Sequence, residues 1–383
     1  MKNLILLYWG TVLLMYLSQT FYPQGDLRNR IRRGNFILDR ADWCLVAIIV
    51  WISAFSFLRN DYNDTVNYIY DFLILTEPLS EFWASGELFK LGGCPLFNFY
   101  QTFVREFTKN YHILFFFPAV LNSVAMIKFI KRYSVNPPFT LLIFYSIGTY
   151  VMYIAAMKQS VAVGILLIAL PYAMDRKYVK FYALVLLAML FHTHAFVFLA
   201  VPFFFGKPWG KVTWGLLAAV VVAILTYNVT FGTFMNVALS MGINVVDWEV
   251  FDGHSINPIR VIIYWIPALL ALFFRKRLFT DSTREENLFV NLSIGAAFIL
   301  SIGLRQGANL FARMAAYYEI AVGFALPWMI AKIFNKRSAN FILGIATVLY
   351  FGYFYYECGI NQDITNTYFS ITIWQFIQKL FTG

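Results

Sequence analysis

Long runs of apolar residues recur along the chain, and short groups of charged residues separate them. Clear examples are Leu4–Leu17, Ile113–Met126, Val261–Phe274 and Phe341–Tyr356. Runs of about 15–20 residues match a hydrocarbon core of about 30 Å, since the residues of an α-helix rise about 1.5 Å each. A transmembrane β-strand would instead alternate apolar and polar positions over about 10 residues. The continuous runs therefore predict an all-α, polytopic integral membrane protein.

The composition of the chain agrees with a membrane protein. Apolar residues make up 60% of it, charged residues make up 13%, and the mean hydropathy is +0.64. Soluble domains carry about 25% charged residues. The net charge of +10 is spread over short stretches between apolar runs, which argues against nucleic-acid binding. Only Lys2 precedes the first run, and no small-residue cleavage site follows it, so we expect a membrane helix there rather than a signal peptide.

The charges of the connecting segments predict the side of the membrane that each one faces. Cytoplasmic loops are enriched in Lys and Arg. Residues 59–110 carry seven carboxylates against four basic residues, and residues 228–259 carry no Lys or Arg, so both are predicted to be outer loops. The segments predicted to be cytoplasmic are Arg28–Arg33 with Arg40, Lys128–Arg132, Arg176–Lys180, Lys207–Lys211, Arg275–Arg284 and Lys332–Arg337.

Two apolar stretches must depart from simple spans for this sidedness to hold. If Leu91–Phe107 crossed the membrane, the basic segment after it would lie outside, so we expect an interfacial or re-entrant helix on the outer side. Phe181–Phe205 has the length of one span, yet one crossing would place Lys207 and Lys211 outside. A helical hairpin broken at residues 192–194, with its tip inside the membrane, keeps both lysines on the cytoplasmic side.

These assignments give about 12 transmembrane crossings with both termini outside. An outer tail, residues 357–383, contains a predicted amphipathic helix near Ile371–Leu380. The chain has no clear internal repeat, flexible linker or low-complexity run. We therefore expect residues 1–383 to form a single transmembrane domain.

Several ionisable or polar side chains fall at one predicted depth, near the outer ends of the helices. Ionisable residues inside a membrane are costly, and they are functional candidates for that reason. Each one also has an ordinary explanation, as a charge at a helix end, a helix cap or a hydrogen-bonded buried histidine. Several cations with few carboxylates favour an anionic ligand, because Arg and Lys bind phosphate. The candidates are Arg59, Asp61, Asp64, Lys158, Gln159, His192, His194, Arg260, Arg305, Arg313, Tyr317 and Glu319.

The sequence contains no strong signature of a metal or nucleotide site. The spacing of Asp61 and Asp64 is too common to indicate a metal. The chain has no phosphate-binding loop and no glycine-rich dinucleotide motif, which disfavours an ATP-driven pump. We therefore expect no metal and no cofactor.

Four stretches resemble the Wzy/EpsG family of bacterial polysaccharide polymerases. Arg59–Tyr68 has the pattern Arg-x-Asp followed by Asp-Thr-x-x-Tyr, and Met157–Ala162 resembles the family's Arg/Lys-Gln-x-x-Ala helix start. Leu190–Ala195 resembles its Phe-His-x-Ser-Ala element, and Arg313 with Tyr317 matches a late helix. The order and spacing carry the resemblance through about residues 40–335. It departs from the family pattern where Lys158 replaces a frequent Arg and where His194 replaces the usual Ser.

The resemblance implies a GT-C-like glycosyltransferase in the bacterial cytoplasmic membrane. It would move a growing glycan from undecaprenyl diphosphate onto a second lipid-linked repeat unit at the outer face, and a separate protein would regulate chain length. On this hypothesis Lys158, Arg260, Arg305 and Arg313 hold the donor's diphosphate and stabilise the leaving charge. His192 is the first choice of general base, and Asp61 or Asp64 is the second. Arg59, Gln159 and Tyr317 are further expected substrate contacts. Tyr62, Tyr68 and Trp248 are candidates for stacking on sugar rings, but in so aromatic a chain packing is the more common role for such residues.

Other functions stay open at this point. A ligase that passes the glycan to a foreign acceptor would use nearly the same site. A transporter or flippase for lipid-linked sugar would also need cations, but it would be expected to show repeated halves or paired broken helices. An acyltransferase would account for a membrane histidine and not for the arginines.

Overall fold

The structure is a computed structural model, and it describes residues 1–23, 42–86, 88, 93–240, 254–361 and 378. These residues form helices and no β-strand, which confirms the all-α prediction. The first half of the chain contains α1 (Lys2–Phe21), α2 (Trp43–Phe57), α3 (Thr65–Ile74), α4 (Leu79–Ala84), α5 (Pro95–Phe107), α6 (Tyr111–Tyr133), α7 (Pro137–Ser146), α8 (Thr149–Ala155), α9 (Met157–Met174) and α10 (Tyr178–Phe191). There follow a 3-10 helix (Thr193–Phe205), α11 (Lys211–Leu225), α12 (Tyr227–Ser240), α13 (Pro258–Phe273), α14 (Arg275–Leu278), α15 (Arg284–Ile302), α16 (Ala308–Ile333), α17 (Lys336–Phe354) and a π-helix (Tyr355–Asn361).

Six of the described helices are long and apolar enough to cross a membrane, so the chain is a multi-pass membrane protein. The number rises to eight if two bent helix pairs, α7 with α8 and α11 with the start of α12, each count as one span. Four shorter apolar helices, α2, α10, the 3-10 helix and α13, have 10–17 residues. The predicted 12 crossings would need each of these four to cross as well, and that number stays a prediction.

Helices α2 and α6 run antiparallel, and polar contacts tie them together at both ends. At one end, Lys131 Nζ lies 3.5 Å from Asp42 Oδ2. Ser18 completes this buried group, since its Oγ donates to Asp42 at 2.6 Å and accepts from Lys131 at 2.6 Å. At the other end, the Arg59 guanidinium lies 4.3 Å from the centre of the Phe115 ring. Arg59 therefore lies at one end of this helix pair, and the basic segment around Lys131 lies at the other end.

The predicted break in the apolar stretch 181–205 is present and lies at His192. Helix α10 ends at Phe191, His192 is extended, and a 3-10 helix of 13 residues follows. Thirteen residues at about 2.0 Å each reach about 26 Å, so this arm is longer than the roughly 20 Å predicted for an α-helix. The two arms pack against each other.

Burial along the 3-10 helix repeats every third residue. Side chains at i and i+3 eclipse in this geometry, whose backbone hydrogen bonds are also poorer than those of an α-helix. Two side chains from neighbouring helices donate to its carbonyls: Tyr318 to Val197, and Asn291 to Phe204 at 2.7 Å. These external donors favour the 3-10 form. Its central buried column consists of Ala195, Phe198, Val201 and Phe204.

The stretch predicted to be an outer interfacial or re-entrant helix contains α5. Its 13 residues cover about 20 Å, too short for a hydrocarbon core of about 30 Å. Phe97, Gln101 and Val104 form a buried face, whereas Phe103 and Phe107 are exposed. This amphipathic pattern agrees with the expected helix type, and its position at the membrane surface stays a prediction.

The other predicted loops and the tail are described in part. The predicted outer loop 59–110 contains α3, α4 and α5. The loop 228–259 begins inside α12, and its residues 241–253 lie outside the described residues. The predicted tail helix near Ile371–Leu380 also lies outside them, apart from Gln378.

Gly148 marks the sharp bend between α7 and α8. Its φ of +81° lies in the left-handed region, which glycine adopts without a steric penalty. The two helices are bent by 57° here. After α8, a second break at Ala156 allows α9 to begin at Met157, so Lys158 and Gln159 lie in its first turn.

Gly307 is the N-cap of α16. Its replacement tests whether the start of this helix requires a residue with left-handed backbone. Its φ is +74°, and a β-carbon there would lie 2.9 Å from the Tyr227 hydroxyl. We expect Gly307→Ala to destabilise the folded protein by at least about 1 kcal/mol, because left-handed backbone is costly for any other residue. The matched control is Gly344→Ala in α17, where a β-carbon meets no atom within 4 Å. Thermal unfolding in detergent should show a lower Tm for the first variant alone. Equal Tm values would contradict this account.

Candidate functional site

Eight of the sequence-predicted side chains, including Tyr68, form one connected group at one end of the helices, here called the site cluster. They come from the C-terminal ends of α2 and α10 and from the N-terminal ends of α3, α9 and α16. Hydrogen bonds, cation–π contacts and electrostatic proximity link them. The site cluster consists of Arg59, Asp64, Tyr68, Lys158, Gln159, His192, Arg313 and Tyr317.

Arg313 and Asp64 connect the start of α16 to the start of α3. Arg313 Nη2 donates to Asp64 Oδ2 at 3.3 Å, and its Nε donates to Asn309 Oδ1 at 2.9 Å. Asp64 holds the N-cap position of α3, where an Asp normally accepts a backbone N–H, but it makes no such bond. Its carboxylate is therefore turned toward Arg313 instead of capping its own helix.

The short loop before Asp64 has an unusual backbone. Tyr62 has φ of 100° and Asn63 has φ of 49°. Asn enters the left-handed region fairly readily, whereas a Tyr there is strained by about 1–3 kcal/mol. A turn bond from Thr65 N–H to the Tyr62 carbonyl, at 3.1 Å, closes the loop. Such strain is characteristic of functional loops. Here the closed turn places Asp64 at the N-cap of α3.

Lys158 is a cation held by aromatic rings. Its Nζ lies 5.1 Å from the centre of the Phe97 ring and 6.0 Å from that of Tyr68. Its backbone N–H approaches the Tyr68 hydroxyl at 3.5 Å. Among the described residues, the Lys158 ammonium forms no ion pair, so its charge is not neutralised by a carboxylate.

Gln159 ties the two helices that carry the cations. Its Nε2 donates to the Arg313 carbonyl at 2.6 Å, which joins α9 to α16. The side chain is buried, and within the described part of the chain its Oε1 has no hydrogen-bond partner. This oxygen is therefore a buried acceptor next to the cations.

Arg59 is buried beside a narrow cavity between α2, α6, α8 and α9. Its Nε donates to Thr65 Oγ1 at 3.0 Å, and its Nη1 donates to the Ser56 carbonyl. The cavity of about 30 Å³ has room for roughly two water molecules, and its walls include Asn122 and Tyr153. Arg59 thus links the loop before α3 to a mainly apolar cavity in the helix bundle.

His192 and Tyr317 form a buried pair at the break after α10. The Tyr317 hydroxyl lies 2.7 Å from His192 Nδ1. The ring of His194 lies 4.9 Å from that of His192, between their centres. The positive charges of Lys158 and Arg313 lie close enough to His192 to act on its ring electrostatically. The histidine is thus fixed in place next to the cations of the site cluster.

Other predicted site residues lie outside the site cluster. Arg260 forms an ion pair with Glu319, with 2.8 Å between Nη2 and Oε1, and the Glu319 side chain is fully buried. Arg305 is exposed in the turn before α16, and in the described part of the chain its side chain forms no hydrogen bond or ion pair. Asp61 is exposed and accepts the Tyr62 N–H at 2.7 Å. Trp248 lies outside the described residues.

Three residues of the site were not found from the sequence. Asn309 holds Arg313 from one helical turn away, and this i, i+4 pair is a pattern that the sequence does display. Phe97 contacts Lys158 from α5, a helix distant in the sequence, and no local pattern indicates that contact. Thr65 stands in the Asp-Thr-x-x-Tyr pattern, which gives it no role; in the structure its hydroxyl oxygen accepts a hydrogen bond from Arg59.

The structure defines an all-helical membrane protein with a cationic, largely buried site at one end of its helices. The described site cluster contains three cations, Arg59, Lys158 and Arg313, against one carboxylate, Asp64. The chain belongs to the EpsG family, whose model matches residues 42–371. This range includes every residue of the site cluster, and the family indicates a polysaccharide-polymerase type of membrane protein. Searches of curated proteins and of solved structures find no match.

Proposed function

We propose that the protein is a membrane glycosyltransferase that polymerises a polysaccharide. It transfers a growing glycan from undecaprenyl diphosphate onto the terminal sugar of a second lipid-linked repeat unit. The reaction takes place at the outer face of the bacterial cytoplasmic membrane and uses no metal ion or other cofactor. The protein has about 12 crossings and a GT-C-like fold, and a separate chain-length regulator is its partner.

The observation that carries the proposal is the excess positive charge of the site cluster. Isolated cations are costly away from water, and a ligand that brings negative charge offsets that cost. A lipid diphosphate at the membrane surface provides such charge beside the helix ends. Membership of the EpsG family supports the polymerase reaction class.

Electrostatics is the main means of catalysis in this proposal. The bond between the anomeric carbon and the donor diphosphate breaks, and its electron pair leaves with the phosphate oxygen. Arg313 and Lys158 are fixed in advance where that charge develops, so they need no reorganisation during the reaction. Arg59 and Asp64 organise the loop beside them. Arg260 and Arg305 are not needed for this step.

Reconstitution with a single lipid-linked repeat unit tests the function. Purified protein in liposomes receives that substrate without ATP and with a metal chelator present. The expected result is a ladder of longer lipid-linked products. Transfer only to an added foreign acceptor would support a ligase in place of a polymerase. Movement of unchanged substrate across the vesicle membrane, with no new glycosidic bond, would refute both enzymes and support a flippase.

Replacement of Lys158 tests whether its unneutralised charge binds the donor. We expect Lys158→Ala to lower kcat/KM for the lipid-linked donor roughly 10- to 100-fold, the effect of losing one hydrogen bond to a charged group. Lys158→Arg keeps the charge and should retain most activity. The control is Lys177→Ala, an exposed lysine in the turn after α9. An unchanged kcat/KM in Lys158→Ala would remove Lys158 from the donor site.

A further inference from the structure

The hydrogen bond between Tyr317 and His192 determines which ring nitrogen carries the proton. Both side chains are buried, and in the described part of the chain each side chain forms its hydrogen bond only with the other. If Nδ1–H donated to the phenol oxygen, the hydroxyl proton of Tyr317 would be left buried without an acceptor. An unsatisfied buried donor disfavours that arrangement roughly tenfold or more. The Tyr317 hydroxyl therefore donates to Nδ1, and the histidine proton lies on Nε2.

This tautomer conflicts with the role of general base that the sequence favours for His192. With Nδ1 occupied by the Tyr317 proton and Nε2 already protonated, neither nitrogen can take a proton from an acceptor hydroxyl. Adding a second proton would create an imidazolium within range of Arg313 and Lys158, which repel it. What the ring does offer is an N–H donor at Nε2.

Asp64 has the features that His192 lacks. It is a carboxylate that does not cap its own helix, and it meets Arg313 through a single N–H at 3.3 Å. Its other oxygen, Oδ1, makes no hydrogen bond in the described part of the chain. Its side chain is 26% exposed, so a substrate hydroxyl can reach it from outside the helices.

We propose, on the basis of the proposed function, that Asp64 is the general base and that His192 is a neutral hydrogen-bond donor to the leaving diphosphate. The acceptor hydroxyl oxygen bonds to the anomeric carbon as its proton passes to Asp64 Oδ1. The bond from the anomeric carbon to the phosphate oxygen breaks, and its electron pair leaves with the diphosphate. His192 Nε2–H, Arg313 and Lys158 bind that oxygen charge. Tyr317 is a positioning residue that acts through His192.

The tautomer is measured directly, without turnover. The protein, labelled with ¹⁵N-histidine and held in lipid nanodiscs, is studied by NMR near neutral pH without substrate. The His192 signals are assigned by their absence in His192→Gln. We expect Nε2 to be protonated and Nδ1 to be unprotonated. In Tyr317→Phe this preference should weaken at least several-fold. A dominant Nδ1–H tautomer or an imidazolium would overturn the proposal even if the proposed function holds.

Kinetics of matched variants then separates donor from base. Gln places an N–H group close to the position of Nε2, so His192→Gln should stay within about tenfold of the wild type while His192→Ala loses far more. Equal loss in both variants would favour a histidine base and overturn the assignment. Asp64→Asn should lower turnover roughly 10²–10⁴-fold, because an amide cannot take the proton of the acceptor hydroxyl. The control is Asp71→Asn, an exposed carboxylate on the same helix. An Asp64→Asn variant with turnover close to that of the wild type would also refute the proposal.

A reconstituted protein that forms no glycosidic bond would refute the proposed function, and the NMR result would still be readable. The Nε2–H tautomer in a catalytically inert protein would keep the structural inference for His192 and Tyr317. It would at the same time remove the base role of Asp64, because there would be no acceptor proton for it to take.

Discussion

Arg313→Ala is expected to lower the formation of longer lipid-linked products roughly 10²–10³-fold, the usual effect of removing one donor that stabilises developing charge. The guanidinium is held in advance, by Asn309 through Nε and by Asp64 through Nη2. It therefore presents its remaining N–H groups in a fixed geometry. The measurement is the initial rate of ladder formation in liposomes at saturating substrate.

Two matched variants show whether this loss is specific. Arg313→Lys keeps the charge and loses the planar fork of donors, so we expect an intermediate rate. Arg277→Ala removes an exposed arginine next to α13, at the end of the bundle with the basic segments, and should leave the rate unchanged. Arg313 is 29% exposed, so its loss should leave the Tm of the protein within a few degrees. Normal turnover by Arg313→Ala would exclude this residue from the reaction.

Glu319→Ala is expected to destabilise the folded protein by about 3–5 kcal/mol, the effect of leaving one buried charge without its partner. Glu319 is fully buried in α16, and it pairs at 2.8 Å with Arg260 of α13. Removing the carboxylate leaves the Arg260 cation largely buried without its ion-pair partner. Denaturant or thermal unfolding in detergent should show the change as a lower midpoint and a reduced yield of folded protein.

The double variant Arg260→Leu with Glu319→Leu is the matched control. Replacing both members of a buried ion pair by apolar residues of similar size is often neutral or stabilising, so we expect most of the lost stability to return. The same variant tests the sequence-predicted role of Arg260 in binding the donor. If the double variant folds and polymerises normally, Arg260 stabilises the packing of α13 against α16 and does not bind the diphosphate. If the double variant is as unstable as Glu319→Ala, the ion pair is not the cause.

Local sequence patterns were sufficient for some features of the structure. The charges on either side of residues 181–205 required a break, and the structure places one at His192. The same reasoning predicts that Leu91–Phe107 does not cross the membrane. In the structure this stretch contains α5, a short amphipathic helix. Both predictions rest on segment length and charge, which a chain displays without folding.

Features that depend on packing between distant segments could not be predicted. The sequence shows Arg260 and Glu319 as two separate ionisable residues, and only the contact of α13 with α16 pairs them. Likewise, no spacing rule indicates that the Tyr317 hydroxyl meets His192 across 125 positions of the chain. The residue type of His192 favours it as the base. Its protonation pattern depends on a partner that the sequence does not identify.

The period of three along residues 193–205 changes how substitutions there should be tolerated. A helical wheel of 3.6 residues per turn would place the buried and exposed side chains of this segment on the wrong faces of the helix. Variation among homologues should instead repeat every third residue, with Ala195, Phe198, Val201 and Phe204 the most constrained. One inserted residue would turn every later side chain by about 120°, and would thereby exchange this column for its neighbour. Insertions and deletions in this arm should therefore be rarer than in the adjacent α-helices.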